Sequence, residues 1–222
     1  NRANLLVSSG IIVAACGFIC AVYFSRRRKT RVITETRTVI LLASFFLTFL
    51  ALARFLVIGR TVMPWLYPMA AFGLTVAIVL SVETGMLMSL ILTILTVFGH
   101  PRDMELALFY ILPTLAGIFV IGRARRVSSF LGAGAVVSLV GVAMVLIFRV
   151  GDSFTDWLGI VSLTASAVFN GLASGTLSIL FEYIFSSVLD IPTALQLMDI
   201  SRPDHPLLQQ VLQTMPGSYQ HS

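Results

Sequence analysis

Charge is what this sequence has least of. Only 11% of its 222 residues are Asp, Glu, Lys or Arg, against about 25% in ordinary soluble domains. A water-exposed surface cannot be covered from so few charges, so a soluble globular fold is excluded. Cysteine is scarce too: Cys16 and Cys20 are the two present, one helical turn apart in an apolar run. Lone cysteines in that setting read as small hydrophobes rather than a redox or metal pair, and they carry no information about compartment. Also missing are a phosphate loop, the H-E-x-x-H zinc spacing and a nucleophile elbow. The "GAGAVV" run follows an apolar helical segment rather than a strand, so it is no dinucleotide loop. The strand alternation of a transmembrane barrel is absent as well.

What fills the sequence instead is apolar residues, 57% of the total, giving a mean hydropathy of +0.95. A helix needs about 20 such residues to cross the hydrocarbon layer. Seven segments qualify, near 5–24, 38–58, 64–81, 84–99, 104–122, 129–149 and 157–188. The fold class is therefore all-α, a polytopic membrane helix bundle of about seven transmembrane helices. Only the short "SVETG" separates the third and fourth segments. Pro64 and Pro68 suit the entrance of the third, where a missing N–H does little harm. Pro113 falls inside the fifth and should kink it. Since the dense cluster "SRRRKTR" follows the first apolar run, a cleaved signal peptide is not expected. The first residue is Asn1 rather than Met, which points to a piece of a longer protein.

The net charge of +5 sits in loops between apolar runs, which is a topology signal rather than a nucleic-acid surface. Arg26, Arg27, Arg28, Lys29, Arg31 and Arg37 follow span one; Arg123, Arg125 and Arg126 follow span five. With seven spans both groups fall on one side, with Arg202 of the tail. Arg2, Arg60, Arg102 and Arg149 are scattered on the other, offset by Asp103, Glu105, Asp152 and Asp156. The positive-inside rule then places the C-terminal tail in the cytoplasm and Asn1 outside.

Ionisable or polar groups at membrane depth mark functional sites. Four residues stand out. Arg54 lies near the outer end of span two, where it can snorkel. Glu83 lies in the inner turn between spans three and four. Asn170 and Glu182 lie on the long last helix, and these four read as interfacial anchors or interhelical hydrogen bonds. His100 belongs to an outer loop and is read as solvated. Small residues at helix-packing spacing, Gly134, Ser138 and Gly141 in one span and Gly171, Gly175 and Ser178 in the next, let backbones approach. Packing within the bundle is their expected use; a homodimer seam is the alternative.

Beyond span seven the composition changes. Asp204 can cap a short helix entered through Pro206, with Leu207, Leu208, Val211, Leu212 and Met215 on one face and Gly217 after its end. That stripe needs a partner, and glutamines rather than Lys or Arg on the polar face disfavour the membrane surface. The segment "LQLMDISRPDHPLLQQVLQTMPGSYQHS" resembles the junction between membrane region and catalytic domain in the seven-transmembrane HD phosphohydrolases, the PgpH-type cyclic-di-AMP phosphodiesterases. The likeness is closest over Ser201–Leu208 and Pro216–Ser222, and looser in the membrane segments, through the span count, the basic loops, Asn170-Gly171 and Glu182. It implies a division into a seven-helix transmembrane domain (1–189), a cytoplasmic linker (190–215) and the start of an HD domain (216–222). It further implies that His221 is the first metal ligand of that domain, that manganese or iron completes the site with catalytic residues after 222, and that cyclic di-AMP is the substrate. An extracellular domain before Asn1 and a multi-pass location in the bacterial cell (inner) membrane belong to the same pattern. On this reading the sequence is a signal-transducing region, inactive by itself, whose partners are the lipid bilayer and, through the HD domain, cyclic di-AMP.

Two other classes compete. A small permease or transporter should show paired charges or broken helices at the midplane, and the sequence displays little of either. A purely structural anchor would have no use for an HD-like start.

Overall fold

The structure, a computed structural model, describes residues 13, 17, 36–57, 60–98, 103–122, 127–149 and 157–189. Every regular element among them is helical, and the fold is an all-α membrane helix bundle. We label the elements α1 (Thr36–Val57), α2 (Met63–Leu66), α3 (Met69–Val79), α4 (Val82–Val97), α5 (Asp103–Ile121), α6 (Val127–Arg149) and α7 (Trp157–Leu189). Of the first expected span, Val13 and Gly17 are described, both helical; the rest lies outside the described residues, as do Cys16, Cys20, His100, most of the basic cluster and the whole tail.

Among the described residues four helices are long and apolar enough to cross a membrane: Thr36–Val57, Met104–Ile121, Ser128–Arg149 and Trp157–Leu189. The region expected to hold spans three and four differs. The third is not one helix entered through two prolines but two helices, α2 and α3, divided at Tyr67–Pro68. Pro64 stands at the start of α2, as a helix entrance should, whereas Pro68 forms the N-cap of α3 and ends the first piece. The α4 helix has 16 residues, about 24 Å at 1.5 Å per residue, short of the ~30 Å hydrocarbon layer.

These short pieces lie in the centre of the bundle. All residues from Met69 to Ala77 are buried, on every face of α3, so the helix packs at once on α4, α5 and α7. A helix apolar all round belongs in such a place. Turning from α3 to α4 takes two residues, Leu80 and Ser81. Ser81 caps α4 by accepting from the Thr84 N–H at 3.2 Å, and Glu83 occupies the first turn, where a carboxylate suits the positive helix end. The hairpin closes tightly because Gly85 lies against Ala77: a Cβ there would come within 2.8 Å of the Ala77 backbone.

The α1 helix shows one buried stripe, Thr38, Leu42, Phe45, Phe49, Ala53 and Val57, at helical spacing. Phe45 sits among Phe49, Phe72, Phe181 and Phe185, with ring centroids 4.9 to 5.1 Å away. Its ring thus joins α1 to both α3 and α7 through edge and stacked contacts.

The largest helix–helix contact is α6 against α7, antiparallel. A Cβ on Gly171 would strike Ser138 and lie 2.6 Å from the Gly134 carbonyl; one on Gly175 would lie 2.8 Å from the Phe130 carbonyl. Ser138 also donates to the Val168 carbonyl at 2.9 Å. The small residues are therefore spent on packing within the chain, the use the sequence pattern favoured.

Candidate functional site

A helix break inside a membrane protein frees backbone groups beyond the reach of bulk water, so neighbouring protein groups or ordered waters must satisfy them. Here side chains of two helices do so, and a third helix anchors the break. Tyr110 on α5 donates its hydroxyl to the Pro64 carbonyl at 2.6 Å. The amide nitrogen of Asn170 on α7 donates twice, to the Trp65 carbonyl at 3.1 Å and the Tyr67 carbonyl at 2.6 Å. Tyr67, in the break itself, sends its hydroxyl to the Phe49 carbonyl of α1 at 2.8 Å. Asn170 is 5% exposed and Tyr110 2%. The break is consequently pinned from both sides, with its polar groups turned inward on protein rather than toward an open channel.

A charged pair secures the same end. Arg149, in the last turn of α6, meets Glu105 near the start of α5 at 2.9 Å, and its guanidinium carbon lies 5.8 Å from the Trp65 ring centroid of α2. Trp65 in turn makes an edge contact with Phe109 at 4.7 Å. Both members of the pair are partly covered, so the contact is screened less than a surface pair. Arg54 donates to the Phe98 carbonyl at 3.3 Å from the last turn of α1. The ends of α1, α4 and α6 and the beginnings of α2 and α5 thus share one face of the bundle.

From Asn170 a buried polar stripe runs down α7. Ser166, Asn170, Ser174, Ser178 and Glu182 recur every fourth residue, and all are buried. Ser174 points its hydroxyl at Asn170 Oδ1 over 3.4 Å, while Ser178 and Ser166 bond back to their own helix at 2.8 Å. At 33 residues the helix is about 50 Å long, and its Gly175 already lies against Phe130, in the first turn of α6.

The reading of Asn170 as an interhelical hydrogen-bond residue is met, as is that of Arg54 at the helix end. Glu83 stands in the first turn of α4, just past the α3–α4 connection, and is exposed. Glu182 is more deeply placed than an interfacial anchor, at 5% exposure. Sequence reasoning missed Tyr110, Tyr67, Trp65 and the Glu105–Arg149 pairing. The four-residue recurrence of Ser and Asn along α7 was a usable signal; the partners of the break were not, because 46 to 105 positions separate them in the chain. Among the described residues no group of three or more His, Cys, Asp or Glu could hold a metal ion, and His221 lies outside them.

The arrangement is that of a polytopic membrane bundle with a pinned, discontinuous central helix. A family described as "7TM receptor with intracellular HD hydrolase" matches residues 5–193, and the chain belongs to this family. It is similar to two proteins named Cyclic-di-AMP phosphodiesterase PgpH. The one from Bacillus subtilis (strain 168) is 23% identical over 235 residues, which cover 100% of this chain and 33% of the relative. The one from Listeria monocytogenes (serotype 1/2a, strain 10403S) is 26% identical over 163 residues, 71% of this chain and 22% of the relative. The chain thus spans a third or less of the curated relatives it matches. No solved structure matches it.

Proposed function

We propose that this chain is the transmembrane signal-transducing region of a membrane-bound HD-domain phosphodiesterase that hydrolyses cyclic di-AMP. The observation that carries the reading is the family match over residues 5–193, joined to similarity with a cyclic-di-AMP phosphodiesterase along the whole chain. The tail lies in the cytoplasm and Asn1 outside. Residues 190–215 form the linker, 216–222 begin the HD domain, and His221 is its first metal ligand, with manganese or iron bound by further residues of the full-length protein. Two such ions would clamp the phosphodiester and supply hydroxide at neutral pH. In this scheme the pinned break is the receiving end and α7 the output. A shift of α2, at the outer face, moves Asn170 and with it a helix that leads directly into the linker. Residues 1–222 alone lack the ligands for hydrolysis and leave cyclic di-AMP intact.

Broken helices also occur in transporters, and the α2–α3 break favours that second reading. Its carbonyls, however, are taken by Tyr110 and Asn170, and the cavity beside it is about 10 Å³, room for one water rather than a solute.

The test is cellular. Deleting the gene should raise intracellular cyclic di-AMP, measured by mass spectrometry, and full-length protein should restore it while residues 1–222 do not. An unchanged level after deletion, in cells that make and turn over the nucleotide, would count against the reading. Orientation is tested separately. In a background with Cys16 and Cys20 replaced by alanine, single cysteines near Arg28 and Arg125 should resist an impermeant thiol reagent in intact cells, while one near Asp103 should react. Reaction at Arg28 or Arg125 would reverse the topology.

A further inference from the structure

The cavity beside the break carries polar groups that the pinning does not use. It is lined by Met69, Tyr110, Pro113, Thr114 and Asn170 among others and measures about 10 Å³. Thr114 is 2% exposed, and its hydroxyl has no hydrogen-bond partner among the described residues. A helical threonine ordinarily returns its hydroxyl to a carbonyl of the preceding turn; this one does not. Pro113, one residue earlier, has no N–H, so the Phe109 carbonyl loses the donor it would have in an unbroken helix. Among the described residues Asn170 Oδ1 receives only the long 3.4 Å contact from Ser174 and retains acceptor capacity. An idle donor, a freed acceptor and an underused acceptor thus surround a space that fits one water, and a buried water needs two to four such partners. The surrounding walls, Val137, Gly141 and Ala167, offer nothing else to bind.

We propose that the cavity beside Pro113 is a binding site for a single water, held by the Thr114 hydroxyl, the Phe109 carbonyl and Asn170 Oδ1. The water completes the hydrogen bonding that the proline removed from α5. It also couples that turn of α5 to the pinned break through Asn170, which both share.

Radiolytic hydroxyl-radical labelling of the full chain in nanodiscs tests this, because radicals made from an ordered buried water oxidise the side chains touching it. Met69, 1% exposed, borders the cavity, while Met88 and Met144, 6% and 7% exposed, do not. Met69 should therefore be oxidised several-fold faster than either, in reverse order of exposure. Thr114→Val should bring Met69 down to the level of Met88, and Thr114→Ser should keep the wild-type rate. Oxidation of Met69 no faster than Met88 in the wild type would overturn the proposal. So would an unchanged Met69 rate in Thr114→Val. Should that variant fail to fold, the wild-type comparison of the three methionines decides alone.

Discussion

Replacing His221 by alanine in the full-length protein is expected to abolish most cyclic di-AMP hydrolysis and lower bound metal, with membrane insertion unchanged. The position lies in "PGSYQHS", the stretch that resembles the start of an HD domain. Neutral imidazole suits manganese and iron. Loss of residues that merely orient a metal ligand costs about 10–100-fold, so loss of a ligand should cost at least about 100-fold in rate. The adjacent Gln220→Ala should change the rate only slightly, which separates ligation from general disturbance of the tail. Full metal occupancy in His221→Ala, measured by elemental analysis of purified protein, would reduce the histidine to a linker residue.

The second large effect is expected in the membrane. Asn170→Leu, nearly the same size, removes both donors from the break. Interhelical hydrogen bonds in membranes often contribute only about 0.6 kcal/mol, because the alternative state finds other partners. The carbonyls here have less choice: Pro68 has no N–H to offer, and the site lies among Trp65, Tyr110 and Ala70, away from bulk water. The Tyr67 carbonyl keeps one bond, from the Met69 N–H at 2.8 Å, whereas the Trp65 carbonyl would keep none of those described. One fully and one partly stranded acceptor imply a loss of about 2–3 kcal/mol, seen as a lowered thermal midpoint in nanodiscs. Ser174→Ala, which removes only the 3.4 Å contact, should be nearly silent. If Asn170→Leu melts like the wild type, Asn170 does not hold the break.

How much of this could be read from the sequence depends on distance along the chain. Helix positions followed from runs of apolar residues, and α1, α5, α6 and α7 lie within a few residues of the expected spans. The seam of Gly134, Gly171 and Gly175 was legible because small-residue spacing is a local property. Pro68 was misread because proline has the same local chemistry at a helix entrance and at a break. What decides between them is whether distant groups such as Asn170 and Tyr110 satisfy the freed carbonyls. Arg149 and Glu105 could be assigned to one face by counting spans, but their 2.9 Å contact depends on how α5 and α6 pack. His221 owes its candidacy to a resemblance in the tail, since a lone histidine has no spacing to interpret.

The central claim is most directly tested by purifying the full-length protein in nanodiscs with manganese and following cyclic di-AMP by chromatography. The expected result is metal-dependent opening of the ring to a linear dinucleotide, stopped by a chelator and restored by added metal. Intact cyclic di-AMP after prolonged incubation with metal-loaded, folded protein would contradict the account, and solute uptake by the same protein in sealed vesicles would favour the transporter in its place.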